Sequence, residues 1–371
     1  MHFTRVIRSD PQHEGLLFAG TEYGLYLSVD GGANWQPFQN NLPEVPITDL
    51  ALKGHHLIAA TQGRGFWILD DIGPLYEMKP GFNKKQHLYK PKPTYLMQAG
   101  YGGKSKTAGE NHPNGVILNY YLESVDSATE YQIRFVDEQG EVVRSFSSTA
   151  ESKSKRWQPK AGANRFVWDL RKRGFDPIDG MILWYVLRQG PYILPGNYQV
   201  QLIAGEDTLK QNFPVIMDPR VEASEADLQA QHDYMADIIS GMDSMNTCIR
   251  EIRNLREDLN RAQSRISDSS LIARIEALKD ESLKIEEALY QTKNRSPQDP
   301  LNFPIRLNNK YGHLGALASI GFNAPTSSML AVKEELQGRI NIEIEKWQKL
   351  KIEAEKLNTI LRATEFEILK W

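Results

Sequence analysis

Short apolar runs punctuated by Gly, Asn, Asp and Pro fill residues 1–80: LLFAGT at 16–21, LYLSVD at 25–30, WQPF at 35–38, ITDLAL at 47–52, LIAAT at 57–61 and FWILDD at 66–71. Strands this short and evenly spaced predict a meander, a sandwich or a propeller. Ala19-Gly20-Thr21 ahead of Asp30 is echoed by Ala59-Ala60-Thr61 ahead of Asp70, an offset of 40 residues both times. That offset is close to the ~40–50 residues of a four-stranded blade. Residues 81–112 are rich in Lys, Gly and Pro and predict a connecting stretch. Alternation returns between 113 and 220, in GVILNYYLE, EYQIRFVDEQGEVVRSF, NRFVWDL and GNYQVQLIAGEDTLKQNFPVI. DEQGE and AGED read as hairpin turns. About 100 residues of such strands predict an Ig-like β-sandwich.

The period changes to helical after Asp218-Pro219-Arg220. Ser224 is a good N-cap, with acidic Glu225 and Asp227 in the first turn. Ile238, Met242, Met245, Ile249, Ile252, Leu255 and Leu259 recur at three- and four-residue spacing, and Leu271, Ile275, Leu278, Ser282, Ile285 and Leu289 continue it in a second helix. A Pro-rich turn, a short helix over 305–319 and a long last helix capped by Thr326 complete 221–371. Ile340, Ile344, Trp347, Ala354, Leu357 and Leu361 form the inward stripe of that last helix. Long helices with short connections predict an antiparallel α-helical bundle. The expected fold class is multidomain β plus α: partial propeller blades, a sandwich, then the bundle.

Composition changes this picture little. Of 371 residues, 40% are hydrophobic and 25% charged, with a net charge of -3. Basic and acidic residues number 24 and 23 up to Arg220, and 20 and 24 after it. Nucleic acid normally meets a basic face, so no nucleic-acid partner is expected. The single cysteine, Cys248, excludes an intrachain disulfide and a Cys-based metal site, and reads as a small core residue. No apolar run reaches the ~18 residues of a membrane span, and no charged-then-apolar signal peptide follows Met1. Serine-nucleophile motifs, P-loops and Rossmann glycine patterns are absent, and no cofactor is expected.

Ser28-Val29-Asp30-Gly31-Gly32-Ala33-Asn34-Trp35 fits S-x-D-x-G-x-x-W, the Asp box. Asp30 can accept hydrogen bonds from the N–H groups of its own turn. Gly31 and Gly32 tolerate positive φ, and Trp35 is expected to leave the turn and plug the space beside it. Such bonding consumes the carboxylate, so Asp30 is expected to be a turn staple and not a catalyst. GLLFAGTEYGLYLSVDGGANW followed by ATQGRGFWILDDI resembles the last blades of bacterial Asp-box (BNR repeat) propeller proteins related to the sortilin ectodomain. GPYILPGNYQVQLIAGED and VIMDPR are similar to the end of that family's Ig-like module, of flagellar hook-capping type. QDPLNFPIRLNNKYGHL and APTSSM are similar to its helical tail. Gln62-Gly63-Arg64-Gly65 departs from the His-Gly-Arg-Gly common in the family. The resemblance implies a secreted or periplasmic protein binding or scaffolding a protein or glycan through its propeller. It also implies upstream blades. Two blades alone would leave sheet edges and an apolar blade face exposed, so the chain is expected to be the C-terminal part of a longer protein. The alternative is the C-terminal part of a glycoside hydrolase, sialidase-like or otherwise, whose catalytic residues lie on those upstream blades.

No catalytic residue is expected within the chain. Glycosidases use two carboxylates ~5–9 Å apart, whereas Asp70 and Asp71, as strand neighbours, would point to opposite faces. Arg64 between Gly63 and Gly65 has two readings: a contact to an anion or glycan in the propeller channel, or a local bond to turn carbonyls and Asp70 or Asp71. Arg64, Trp67 and Asp70 are the candidate ligand residues, and Ser28, Asp30, Gly32 and Trp35 the structural set. Trp184, Tyr185 and Tyr192 read as a sugar-stacking surface or as packing. His55-His56 read as a solvent-exposed hairpin turn. No metal site is expected there, nor at His232 or His313. The oligomeric state is open.

Overall fold

A computed structural model describes residues 3–78, 84–98, 111–152 and 155–362. It has two compact units: Met1–Asp169 with Gly196–Ile216, and Leu170–Pro195 with Met217–Trp371. The first is β-rich and the second helical.

In the β unit, β1 (Thr4–Ser9), β2 (Leu17–Thr21), β3 (Gly24–Ser28) and β4 (Gln36–Pro37) form an antiparallel meander in that order. β5 (Ile47–Lys53), β6 (His56–Thr61) and β7 (Phe66–Leu69) form a second antiparallel sheet, followed by the single-turn helix α1 (Gly73–Tyr76). Alternation gives each sheet an apolar face. Val6, Phe18, Leu25 and Leu27 of the first meet Ile47, Leu50, Leu57 and Ala59 of the second in one core. The approach is close at Gly20, where a Cβ would lie 2.7 Å from Ile47 and 2.8 Å from Val6. The other face of the second sheet leaves Phe66 and Ile68 exposed, at 80% and 59%.

Two further sheets complete this unit. β8 (Gln86–Leu88), β10 (Val116–Leu122) and β13 (Gly162–Trp168) form one, ordered β13-β10-β8. β9 (Thr94–Leu96), β11 (Tyr131–Val136), β12 (Val142–Ser147), β14 (Gly196–Ala204) and β15 (Asp207–Met217) form the other, ordered β12-β11-β14-β15-β9. β8 and β9 lie within the stretch expected to be a connection. Each joins a different sheet, so this segment ties both together. Val116, Leu118, Tyr120 and Leu122 are buried at alternate positions. Phe135 of β11 stacks on Trp168 of β13, with ring centroids 4.1 Å apart, so aromatic rings from the two sheets interdigitate.

The helical unit contains α2 (Glu225–Gln263), α3 (Ser269–Leu289), α4 (Leu307–Ala318) and α5 (Ser327–Arg362). Ser224 caps α2 in a reciprocal capping box with Asp227. Helix directions follow from residue pairs. Arg253 bonds Glu286 and Gln263 bonds Glu276, so α3 runs antiparallel to α2. Gly241 abuts Tyr311 and Gly315 abuts Ile238, so α4 also runs antiparallel to α2. Lys333 bonds Asp237 and Trp347 bonds Glu251, so α5 runs parallel to α2. The bundle is therefore not antiparallel throughout. It is a three-membered bundle, up-down-up, in which α3 and α4, placed end to end along α2, form the descending member and α2 also meets α5 directly. The Pro-rich 290–306 segment breaks that descending member without reversing it. The loop 170–195 packs on the bundle through Phe175 and Met181, and Asn309 bonds both the N–H and the carbonyl of Trp184.

Candidate functional site

The 28–35 turn is closed by its own side chains. Ser28 Oγ donates to Asp30 Oδ1 (2.8 Å) and accepts from the Gly32 N–H (2.9 Å). Asp30 also accepts from the Asn34 N–H (2.9 Å) and from the Asn34 amide (2.7 Å). Gly31 and Gly32 take φ of 74° and 93°. Trp35 departs from the expected plug. It stays 39% exposed and folds back over its turn, donating Nε1–H to the Gly32 carbonyl (3.1 Å). The Asn34 N–H first, then the Asn34 amide and the Ser28 hydroxyl, hold the Asp30 carboxyl down at about 2. A folded-state value below the ordinary carboxylate range makes Asp30 stabilising above pH ~4, and that contribution is lost as pH falls through about 2. A carbon-detected NMR titration is expected to give a midpoint near 2 for Asp30, moving upward in Asn34→Ala. A midpoint at the ordinary carboxylate value in the unsubstituted protein would show that the turn does not hold the carboxylate.

Arg64, Trp67 and Asp70 are not brought together. Arg64 sits exposed in the β6–β7 turn, where its carbonyl accepts the Trp67 Nε1–H (3.1 Å). Asp70 follows the far end of β7, beside His56 Nδ1 at 3.9 Å. At about 3.3 Å per strand residue, Arg64 and Asp70 stand roughly 15–20 Å apart. The expected local pairing of Arg64 with Asp70 or Asp71 does not form, because the strand carries the aspartates away from the turn.

Asp70 and Asp71 line one cleft, contrary to the opposite-face expectation. β7 ends at Leu69, so strand alternation no longer applies to them. The cleft, of about 460 Å³, is lined among others by His55, His56, Lys92, Tyr95 and Asn114. Three short segments build it. Gly54, at φ 57°, and His55 form the two-residue turn between β5 and β6. Asp70 and Asp71 leave β7 on the adjacent strand. Lys92 and Tyr95 lie at β9, and Asn114 precedes β10.

Charge is arranged unequally in the cleft. Lys92 Nζ contacts Asp71 Oδ1 at 2.7 Å. Asp71 also accepts from the Gly73 N–H (2.9 Å) and the Asn119 amide (3.3 Å). Asp71 is thereby a fixed group, whereas Asp70 is 46% exposed, with His56 Nδ1 3.9 Å away. His55 is not the solvent-exposed residue expected. It is part-buried and its ring lies 5.3 Å from that of Tyr76. Its Nδ1 is buried without a hydrogen-bond partner. Burial, then Lys92, pushes His55 below its ordinary value, so the imidazole is neutral at pH 7. Behind it, Tyr76 donates to buried Asp10 (3.1 Å), and burial first and Asp10 second raise the phenol to about 12.

His55, Asp71, Lys92, Tyr95 and Asn114 were not picked out as a site in the sequence. One signal could have found part of it. Register places His56 beside the residue after Leu69, so the His-His turn and the Asp-Asp pair share a sheet end. Among the described residues, no group of three His, Cys, Asp or Glu side chains could hold a metal ion. No described helix is long and apolar enough to cross a membrane. In the helical unit, Tyr185 is 72% exposed at φ 47°, its carbonyl 2.9 Å from His313 Nδ1. Arg171 covers Tyr192 at 3.7 Å.

No protein-family profile and no curated protein sequence matches the chain. Among solved structures, it is similar to the extracellular domain of BT4673 from B. thetaiotaomicron, described as a hybrid two component system in one structure and a one component system in another. The first is 10% identical at a TM-score of 0.16, covering 59% of this chain and 26% of that one. The second is 12% identical at a TM-score of 0.16, covering 58% and 25%. The chain thus spans about a quarter of those structures, and at such TM-scores the likeness carries no argument about fold or function.

Proposed function

We propose that this chain is a non-catalytic binding or scaffolding region of an exported protein, and that the cleft at the His55-His56 turn is where its β unit takes a protein or glycan ligand. The observation that carries this reading is the commitment of Asp71. Its carboxylate meets an ammonium, an N–H and an amide, so its oxygens are engaged by the protein and not held free beside Asp70 for a substrate proton. Asp30 is consumed by its turn, and Asp49 is held by Arg8 at 2.6 Å. A mainly apolar cleft with a few convergent polar groups suits binding. The four-strand meander, its 28–35 turn and the apolar packing of the two N-terminal sheets support reading those sheets as blades of an Asp-box propeller. The paired sheets after them support the Ig-like reading. An exported setting rests on the resemblance of the blade and Asp-Pro-Arg segments to secreted proteins.

The test is a panel of glycans and extracellular proteins, assayed in parallel for binding and for product. Saturable binding is expected, with NMR shifts at His55, Asp70 and Tyr95 and no release of reducing sugar or sialic acid. Release of either product, abolished by Asp70→Asn, would overturn the reading and favour the glycoside-hydrolase alternative.

A further inference from the structure

Within the proposed binding reading, the cleft's chemistry narrows the ligand. Tyr95 is 48% exposed on the cleft wall, in a short strand preceded by Pro91 and Pro93. Met97, Pro93, Pro113 and Ile117 add apolar surface. Asp70 contributes a half-exposed carboxylate, with His56 Nδ1 3.9 Å away. The Asn114 side chain makes no hydrogen bond among the described residues and lies exposed on the same lining. Among the described lining residues, two carboxylates face a single ammonium, and that ammonium is already bound to Asp71. His55 is neutral, so it does not reverse the balance.

A ligand for this lining must present an apolar face to an aromatic ring. It must also offer hydroxyl donors to a carboxylate and hydroxyl acceptors to an amide. Among the described lining residues, a carboxylate ligand would meet Asp70 with no unengaged lysine or arginine to receive it, which costs binding. Sugar rings have the required geometry: a C–H face and a rim of hydroxyls. We infer that the cleft takes an uncharged carbohydrate, its C–H face on Tyr95 and its hydroxyls on Asp70 and Asn114, and that it rejects sialylated glycans. This inference rests on the cleft being a binding site at all.

The experiment titrates the full chain by calorimetry and NMR with lactose, cellobiose, N,N′-diacetylchitobiose, 3′-sialyllactose and an Arg/Pro-rich decapeptide. At least one neutral disaccharide is expected to bind, with shifts centred on Tyr95, Asp70 and Asn114. Tyr95→Ala and Asp70→Asn are each expected to weaken it by about tenfold. Both positions are exposed, and unchanged circular dichroism would show that the variants fold. Sialyllactose is expected to bind at least about tenfold more weakly than lactose. Equal or tighter binding of sialyllactose overturns the neutral-sugar inference. Peptide binding that depends on Asp70, with no sugar bound, also overturns it while leaving the cleft a binding site. No saturable shift at these residues with any probe sinks both the inference and the reading beneath it.

Discussion

Removing both guanidinium groups from around Glu286, as Arg253→Met with Arg256→Met, is expected to destabilise the helical unit by about 3–5 kcal/mol. The Glu286 side chain is 2% exposed at the contact of α2 with α3. Arg253 Nε donates to its Oε1 at 2.7 Å, and Arg256 Nη2 donates to its Oε2. A carboxylate at that depth is tolerated because both oxygens are met by charged donors. With both arginines gone it keeps its desolvation cost and loses the attraction that offset it. The reverse deletion is milder. The Arg253 and Arg256 side chains are 34% and 24% exposed, so after Glu286→Leu their heads can turn to water. The triple variant, apolar at all three positions, is expected to regain most of the loss. Urea denaturation by circular dichroism would measure the total, and hydrogen exchange over 249–289 would localise it. A loss below about 1 kcal/mol in the double variant would mean that Glu286 reaches solvent.

The helical unit was legible in the sequence because its information is local. The stripe from Ile238 to Leu259 is buried as its spacing requires, Ser224 caps α2 as expected, and α4 and α5 begin beside the anticipated residues. What periodicity could not show was that α3 and α4 line up along one helix. The same stripe serves either arrangement, and only pairs such as Gly241 with Tyr311 decide between them. In the β unit the 28–35 turn was legible for the same reason, since four side chains within eight positions satisfy one another. The cleft was not. Lys92 and Asn119 reach Asp71 from 21 and 48 residues away along the chain. β8 and β9 are three residues each and sit among prolines, too short for any alternation to register. His55 looked like an exposed turn residue because the ring packed beside it, Tyr76, is not on its own hairpin.

Trp168→Ala is expected to cost the β unit about 3–5 kcal/mol. Trp168 is 1% exposed at the end of β13. Its indole stacks on Phe135 at 4.1 Å, and Phe135 in turn meets Phe213 edge-on at 6.2 Å. Truncation therefore opens a cavity among rings supplied by both sheets. The backbone has little room to close it. Val116 pairs with Trp168 in the β10–β13 register, and a Cβ on Gly115 would lie 2.0 Å from the Trp168 carbonyl oxygen. That contact fixes the strand where it is, so the cavity persists and the full penalty is expected. Trp168→Phe keeps a ring against Phe135 and is expected to cost clearly less than the alanine variant. Chemical denaturation of the two variants gives the difference, and hydrogen exchange over 116–136 and 196–215 should show lost protection in both sheets. If Trp168→Ala costs no more than Trp168→Phe, the site collapses freely and the two sheets do not depend on this stack. Protection lost only along β13 would instead confine the role of Trp168 to its own strand.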